Sequence, residues 1–226
     1  MLLEVMCSAG LILLITAVAM KFFRSKIYNV LIVHLTSQWY REVLDLVSKN
    51  SKILDVGIGT GQALIKNKSL LVQKNIKVDG VDYDLDYVNQ CRAHIQKERL
   101  QNYITVCHKS IFDYVGGPYD VIYFSASLMI LPNPVTALNH VKSILRENGK
   151  IFITQTIESN RSHFMELVKP LLKYVLTIDF GSVTYEDDLM ATFKEANLKV
   201  HLNKTISGTS ANDKRSYRLF VLERIQ

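Results

Sequence analysis

The chain has 226 residues, 48% of them apolar and 21% charged, with 27 Lys and Arg against 21 Asp and Glu for a net charge of +6. That length supplies one ample core but not two full-sized enzyme domains, and ten glycines with four prolines exclude a collagenous or low-complexity scaffold. The three cysteines, Cys7, Cys91 and Cys107, contain no CxxC pair, so neither a disulfide framework nor a zinc cluster is encoded.

The apolar excess lies at the front. Val5 to Met20 is free of charge, and Phe22 and Phe23 extend the run around Lys21. As a helix the 19 residues from Val5 to Phe23 would cover about 28 Å, close to the hydrocarbon thickness of a bilayer. A secretory signal carries positive charge before its apolar run, whereas the first charge here is Glu4; Ala17-Val18-Ala19 is the one feature that resembles a cleavage site. A mitochondrial presequence would be Arg-rich and amphipathic, and this segment is neither. The expectation is a transmembrane anchor with its basic flank over residues 1–26, contacting the membrane through residues 1–23. Lys21, Arg24 and Lys26 follow the run, and such an excess stays on the cytoplasmic side. A single-pass membrane protein is expected, with residues 27–226 as a catalytic domain facing the cytosol.

Past residue 26, strand and helix signals alternate without a repeat or a linker. Apolar residues at Val30, Leu31, Val33, Leu35, Trp39, Val43, Leu44 and Val47 predict an amphipathic helix over Ile27 to Ser48, with Tyr28, Trp39 and Tyr40 as core or membrane-interface aromatics. Lys52 to Val56 is a short strand that feeds a glycine-rich turn and a helix from about Gly61 to Lys68. Lys77 to Asp82 is the second strand, followed by a helix with Val88, Cys91 and Ile95 on one side. Ile104 to His108 and Tyr119 to Phe124 are the third and fourth strands. Asn133-Pro134 opens the next helix as N-cap and first-position proline, and Asn148-Gly149 is expected to close it. Lys150 to Thr156 is the fifth strand. Helices are then expected over His163 to Tyr174 and from Thr184, whose hydroxyl is placed to cap, to Ala196-Asn197. Leu198 to Ile206 and Tyr217 to Ile225 have no helix between them and predict an antiparallel hairpin. The fold class expected is α/β: a doubly wound, seven-stranded, mostly parallel sheet with a C-terminal antiparallel hairpin, preceded by one transmembrane helix.

The run Asp55-Val56-Gly57-Ile58-Gly59-Thr60-Gly61 sits where the first strand hands over to a helix, which is where open α/β sheets bind ligands. Asp82 ends the next strand, 21 residues after Gly61, where a carboxylate can accept from both hydroxyls of a ribose. The dinucleotide fingerprint would have an apolar residue at Asp55 and glycine at Gln62, because backbone amides and a helix N-terminus must receive a pyrophosphate. A carboxylate in that turn repels pyrophosphate and suits an ammonium group, so a nicotinamide-dependent reductase is opposed and a partly cationic nucleoside is implied.

Asp55-x-Gly57-x-Gly59-x-Gly61 with Asp82 resembles the first and second motifs of the class I S-adenosylmethionine-dependent methyltransferases, and the resemblance extends over roughly residues 28–226, terminal hairpin included. It implies S-adenosylmethionine as cofactor and in-line transfer of its methyl to a small-molecule acceptor. Gly57, Gly59 and Gly61 would shape the loop under the methionine portion, Asp55 would act on the ammonium group, and Asp82 would hold the ribose, with Tyr83 beside the adenine. Where the family often has an acid after the third strand, this chain has Ser110, with the amide of Ile111 available to the ring; Phe124, at the end of the fourth strand, completes the cofactor-binding set. The stretch Tyr119 to Ser127 lacks the Asn/Asp-Pro-Pro-aromatic loop of enzymes that methylate base amines, which disfavours that substrate. The acceptor pocket would fall to the leading helix, the loop after Phe124 and the stretch Glu158 to Tyr185. Apolar residues from Leu128 to Leu131, together with the anchor, fit a lipophilic acceptor.

The six histidines show no metalloprotease or zinc-finger spacing, and no metal is expected. His34 and His163 border the substrate opening in this fold class and are the candidate bases. Basic residues are spread among acids rather than gathered in a patch, so nucleic acid is not an expected partner. The alternative reading is a non-catalytic assembly or tethering protein that keeps the fold at a membrane.

Overall fold

The computed structural model describes residues 33–161, 166–167, 183–206, 208–210 and 213–225. The apolar run Val5 to Phe23 and most of the helix expected over His163 to Tyr174 lie outside the described residues. Among the described residues no helix is long and apolar enough to cross a membrane.

The elements in chain order are α1 (His34–Leu46), β1 (Lys52–Val56), α2 (Gln62–Ile65), α3 (Lys68–Lys74), β2 (Lys77–Asp82), α4 (Leu85–Lys97), β3 (Ile104–His108), β4 (Tyr119–Ser125), α5 (Pro134–Ser143), β5 (Leu145–Glu158), α6 (Glu186–Glu195), β6 (Leu198–Thr205) and β7 (Arg215–Arg224). The strands form one seven-stranded sheet in the order β3-β2-β1-β4-β5-β7-β6. β1 pairs in parallel with both β2 and β4, and β4 with β5, whereas β7 is antiparallel to both β5 and β6. The expected terminal hairpin is therefore present, with its second strand inserted between β5 and β6. Strand order reverses between β1 and β4, so the carboxyl ends of these two strands border the crevice where such sheets take ligands.

Both faces are covered, which is why β1 is buried along nearly its whole length rather than at alternate residues. On one face Trp39, Tyr40, Val43 and Leu44 of α1 recur at helical spacing and pack on Ile53, Tyr123 and Phe152, with Leu64, Leu71, Cys91 and Ile95 continuing that core. On the other face Ala137, Leu138 and Val141 of α5 and Leu189 and Phe193 of α6 close over Leu54, Ile122, Phe124 and Phe220.

Four local expectations are corrected. The helix after the glycine turn is two short ones: Asn67 donates to the carbonyls of Ser37 and Ala63 at 2.8 and 3.0 Å, and α3 starts after it. α5 begins as expected, Asn133 accepting from the Thr136 amide at 2.9 Å, but it stops at Ser143 rather than at Asn148-Gly149. The residues from Leu145 join β5 instead, through an irregularity that carries the pairing from Tyr119–Leu145 to Val121–Lys150. Thr184 caps no helix, because its hydroxyl accepts from the Gln155 amide at 3.1 Å, and α6 opens two residues later.

Candidate functional site

β1 delivers the chain into the loop Gly57 to Gly61 at the strand-order reversal. All three glycines are left-handed, with φ of 77, 58 and 69°. Two of them are also pressed by neighbours: a Cβ on Gly57 would lie 2.7 Å from Cβ of Ser127, and one on Gly61 would lie 2.5 Å from Sγ of Cys91. The loop is tied on three sides. The Gly57 amide donates to the Val81 carbonyl at 2.8 Å, and the Gly59 amide to Oδ2 of Asp82 at 2.9 Å. Ser127 donates to the Val56 carbonyl from the loop that follows β4. From α4, His94 lies with Nδ1 3.0 Å from the Thr60 carbonyl and Nε2 2.9 Å from the Gln62 amide nitrogen. A carbonyl only accepts, so Nδ1 carries the hydrogen and Nε2 accepts from Gln62.

Asp55 is 1% exposed. Its Oδ2 accepts from the Tyr40 hydroxyl at 2.7 Å, while Oδ1 is buried with no hydrogen-bond partner among the described residues. Burial pushes its pKa up to about 7; the Tyr40 hydrogen bond opposes that rise and the neighbouring charge of Asp82 adds to it. Asp82, at the end of β2, accepts from the amides of Gly59 and Asp84, both at 2.9 Å. Burial raises its pKa too, against the pull of those amides. Tyr40 also stands edge-on to Tyr123 at 5.0 Å between centroids, and the Tyr123 hydroxyl shares a 2.8 Å hydrogen bond with Thr154. The site thus has a half-satisfied carboxylate, a second carboxylate on the adjoining strand and a stretch of bare backbone between them.

The sequence-predicted residues divide accordingly. Asp55, Gly57, Gly59, Gly61 and Asp82 meet in one loop. Tyr83 follows Asp82 with its side chain 69% exposed, and its carbonyl bonds to His108 Nε2 at 2.8 Å. Ser110 opens a short turn, its Oγ accepting from the Phe112 amide at 3.3 Å, and the Ile111 side chain is buried in that turn. Phe124, at the end of β4, has its ring buried on the α5 face, among Leu128, Ile153 and Phe220. His34 is exposed on the first turn of α1, and His163 lies outside the described residues. The sequence reading missed Tyr40 as a site residue, and His94 and Ser127 altogether. Only their spatial neighbours give them a role, and the one advance signal was a phenol inside the apolar stripe of α1. Two surface concavities of about 440 and 380 Å³ lie elsewhere, around Asp120, Arg146 and Asn148 at the amino ends of the strands.

This donor set fits a cationic nucleoside. The unpartnered Oδ1 of Asp55 suits an ammonium group and would repel a pyrophosphate, and Asp82 ends the strand where ribose hydroxyls are received. Comparison with known proteins agrees: a family profile describing a methyltransferase domain matches residues 47–212. The chain belongs to the class I S-adenosylmethionine-dependent methyltransferase family, whose cofactor is S-adenosylmethionine. It is 27% identical over 125 residues to the ribosomal protein L11 methyltransferase of Alkaliphilus oremlandii, covering 55% of this chain and 38% of that protein. The chain spans between 38 and 54% of the length of the first curated relatives it matches. Among solved structures, a methyltransferase from Aquifex aeolicus aligns with a TM-score of 0.67 at 18% identity, over 88% of this chain and 97% of that one. The geranyl diphosphate C-methyltransferase of Streptomyces coelicolor aligns at 0.66 and 10% identity, over 85% of this chain and 79% of that one. At those identities the likeness is one of fold.

Proposed function

We propose that the protein is a membrane-anchored methyltransferase that transfers the methyl of S-adenosylmethionine to a small lipophilic acceptor, with its catalytic domain on the cytosolic side. The unpaired, buried Oδ1 of Asp55 beside the left-handed glycines carries the cofactor reading. The anchor rests on the charge-free run Val5 to Met20 and the basic residues Lys21, Arg24 and Lys26 behind it. The acceptor class rests on that anchor and on Met129 and Ile130, half-buried apolar residues in the turn that follows β4.

When bound, the cofactor supplies an electrophilic sulfonium methyl. The chain's own residues bind and orient. Asp55 would act on the ammonium group, directly or through a water, while Tyr40 holds Oδ2; Asp82 would take the ribose hydroxyls, and the bare loop between them would let the ligand lie against backbone. Catalysis then comes from alignment and exclusion of water.

Calorimetric titration of the full chain with S-adenosylmethionine, S-adenosylhomocysteine and NAD tests the cofactor. The first two should bind and the third should not, and binding of NAD alone would overturn the reading. Turnover assayed on polar and apolar acceptors tests the substrate class: activity confined to polar metabolites would reject a lipophilic acceptor. Formation of S-adenosylhomocysteine separates an enzyme from a non-catalytic tether.

A further inference from the structure

We propose that the carboxyl end of the sheet, where the cofactor cleft opens, faces the bilayer, so that the methyl acceptor enters from a lipid surface; this rests on the anchor reading above. The direction of α1 carries it. At its carboxyl end, the carbonyls of Leu44 and Asp45 accept from Lys74 Nζ at 2.7 and 2.8 Å, and the chain then turns through Ser51 into Lys52, the first residue of β1. Earlier in the helix, Tyr40 reaches Asp55, near the carboxyl end of β1. Earlier again, the Ser37 carbonyl accepts from Asn67, beyond the glycine loop. α1 therefore runs antiparallel to β1, and Val33 emerges about 10 Å past Tyr40, at the end of the sheet where the cleft lies.

The connection to the membrane is short. Residues 24–32 separate Phe23 from Val33, and the ten residue steps between them reach no more than about 36 Å fully extended. A domain of about 190 residues is about 40 Å across. The connection cannot run down the flank of the domain and present the opposite end of the sheet to the headgroups. Exposed apolar side chains do not decide the matter, because they occur at both ends: Tyr83 and Leu85 beside the cleft, Leu46 and Val115 at the other. Tether length does. With the cleft end held down, Tyr83 and Leu85 are the pair that meets the interface, an aromatic and an aliphatic group where such groups are favoured.

The full-length chain, reconstituted in phosphatidylcholine vesicles containing a dansyl-headgroup lipid, tests this by energy transfer from tryptophan. Tyr83→Trp and Leu85→Trp report on the cleft end, and Val115→Trp, next to the loop that enters β4, reports on the opposite end. Trp39 is a common background. Flotation of each variant with the vesicles is measured first. The expected result is transfer from positions 83 and 85 at least twofold above that from 115, with the difference abolished by twenty Gly/Ser residues inserted after Ser25. Equal or reversed transfer in protein that floats overturns the orientation and leaves the anchor standing. Protein that does not float overturns the anchor and this proposal with it.

Discussion

The Tyr40 hydroxyl donates to Oδ2 of Asp55 at 2.7 Å inside the core, joining α1 to the strand end that opens the glycine loop. It is the only hydrogen bond that carboxylate makes to a side chain among the described residues, so the state of Asp55 depends on a residue fifteen positions earlier.

Tyr40→Phe isolates that bond, since phenylalanine keeps the edge-on packing against Tyr123. It leaves both Asp55 oxygens without a side-chain donor, at a cost of about 1–3 kcal/mol. Chemical denaturation should show a lower midpoint with an unchanged slope. The hydrogen bond favours the ionised carboxyl, so its loss raises the pKa of Asp55 further and should weaken S-adenosylmethionine binding most at pH 6–7. A variant as stable as the wild type would show that the bond contributes nothing.

Asp55 itself predicts a pH dependence of opposite sign for folding and for binding. Its pKa rises from 3.8 in the unfolded chain to about 7 in the fold, because burial penalises the charge. Stability from this group is therefore fully present below pH 4, is lost as pH rises from 4 to 7, and is constant above; the whole span is on the order of 4 kcal/mol. An ammonium ligand favours the ionised form, so affinity for S-adenosylmethionine should climb up to tenfold per pH unit as pH approaches 7 and level off beyond it. Asp55→Asn should flatten both trends, making the ligand-free protein more stable at pH 8 while weakening cofactor binding there. Parallel titrations and melts at pH 6, 7 and 8 check this; an Asp55→Asn protein that keeps the wild-type pH profile would refute it.

Gly61 and Cys91 are coupled by contact. A methyl at Gly61 would meet Sγ of Cys91 at 2.5 Å and would also sit at a φ of +69°, which costs about 1 kcal/mol without any clash. Gly61→Ala should therefore destabilise the protein by more than that backbone cost, and Cys91→Ala should lose a buried sulfur. The double variant should be less damaged than the sum of the two, because removing Sγ makes room for the new methyl. Unfolding free energies for the four proteins give the coupling, and additivity would mean the loop moves away instead.

The sheet was legible in the sequence because its central strands are buried on both faces and read as apolar runs, punctuated by Gly, Asn or Asp. The glycine loop was legible for the same kind of reason: a left-handed turn demands glycine, and glycine is visible in a sequence. What was not legible is set by what lies across space. Strand alternation turns Phe124 to the α5 face, while Tyr123 and Ser125 lie on the side of Asp55. Thr184 looks like a cap, but Gln155 of β5 claims its hydroxyl. Asn148-Gly149 looks like a helix stop, but β5 reaches back to Leu145 to pair with Tyr119 and ends the helix first. Tyr40 is one more aromatic in an apolar stripe until Asp55 is placed beneath it.

Asp82 does two things that substitution can separate. Its carboxylate receives the amides of Gly59 and Asp84, which fixes the glycine loop against β2, and its place at the strand end suits ribose hydroxyls. Asp82→Ala removes both, and the loss of charge-assisted hydrogen bonds worth about 1.5–3 kcal/mol should weaken S-adenosylmethionine binding roughly 10- to 150-fold. Asp82→Asn keeps a carbonyl oxygen for one of the two amides, so its melting temperature should fall less than that of the alanine variant. Its amide nitrogen cannot accept from a hydroxyl, however, and its cofactor affinity should fall nearly as far. A ribose role therefore predicts that stability and affinity part company between the two variants. If they fall together, Asp82 acts on the cofactor only through the loop it holds.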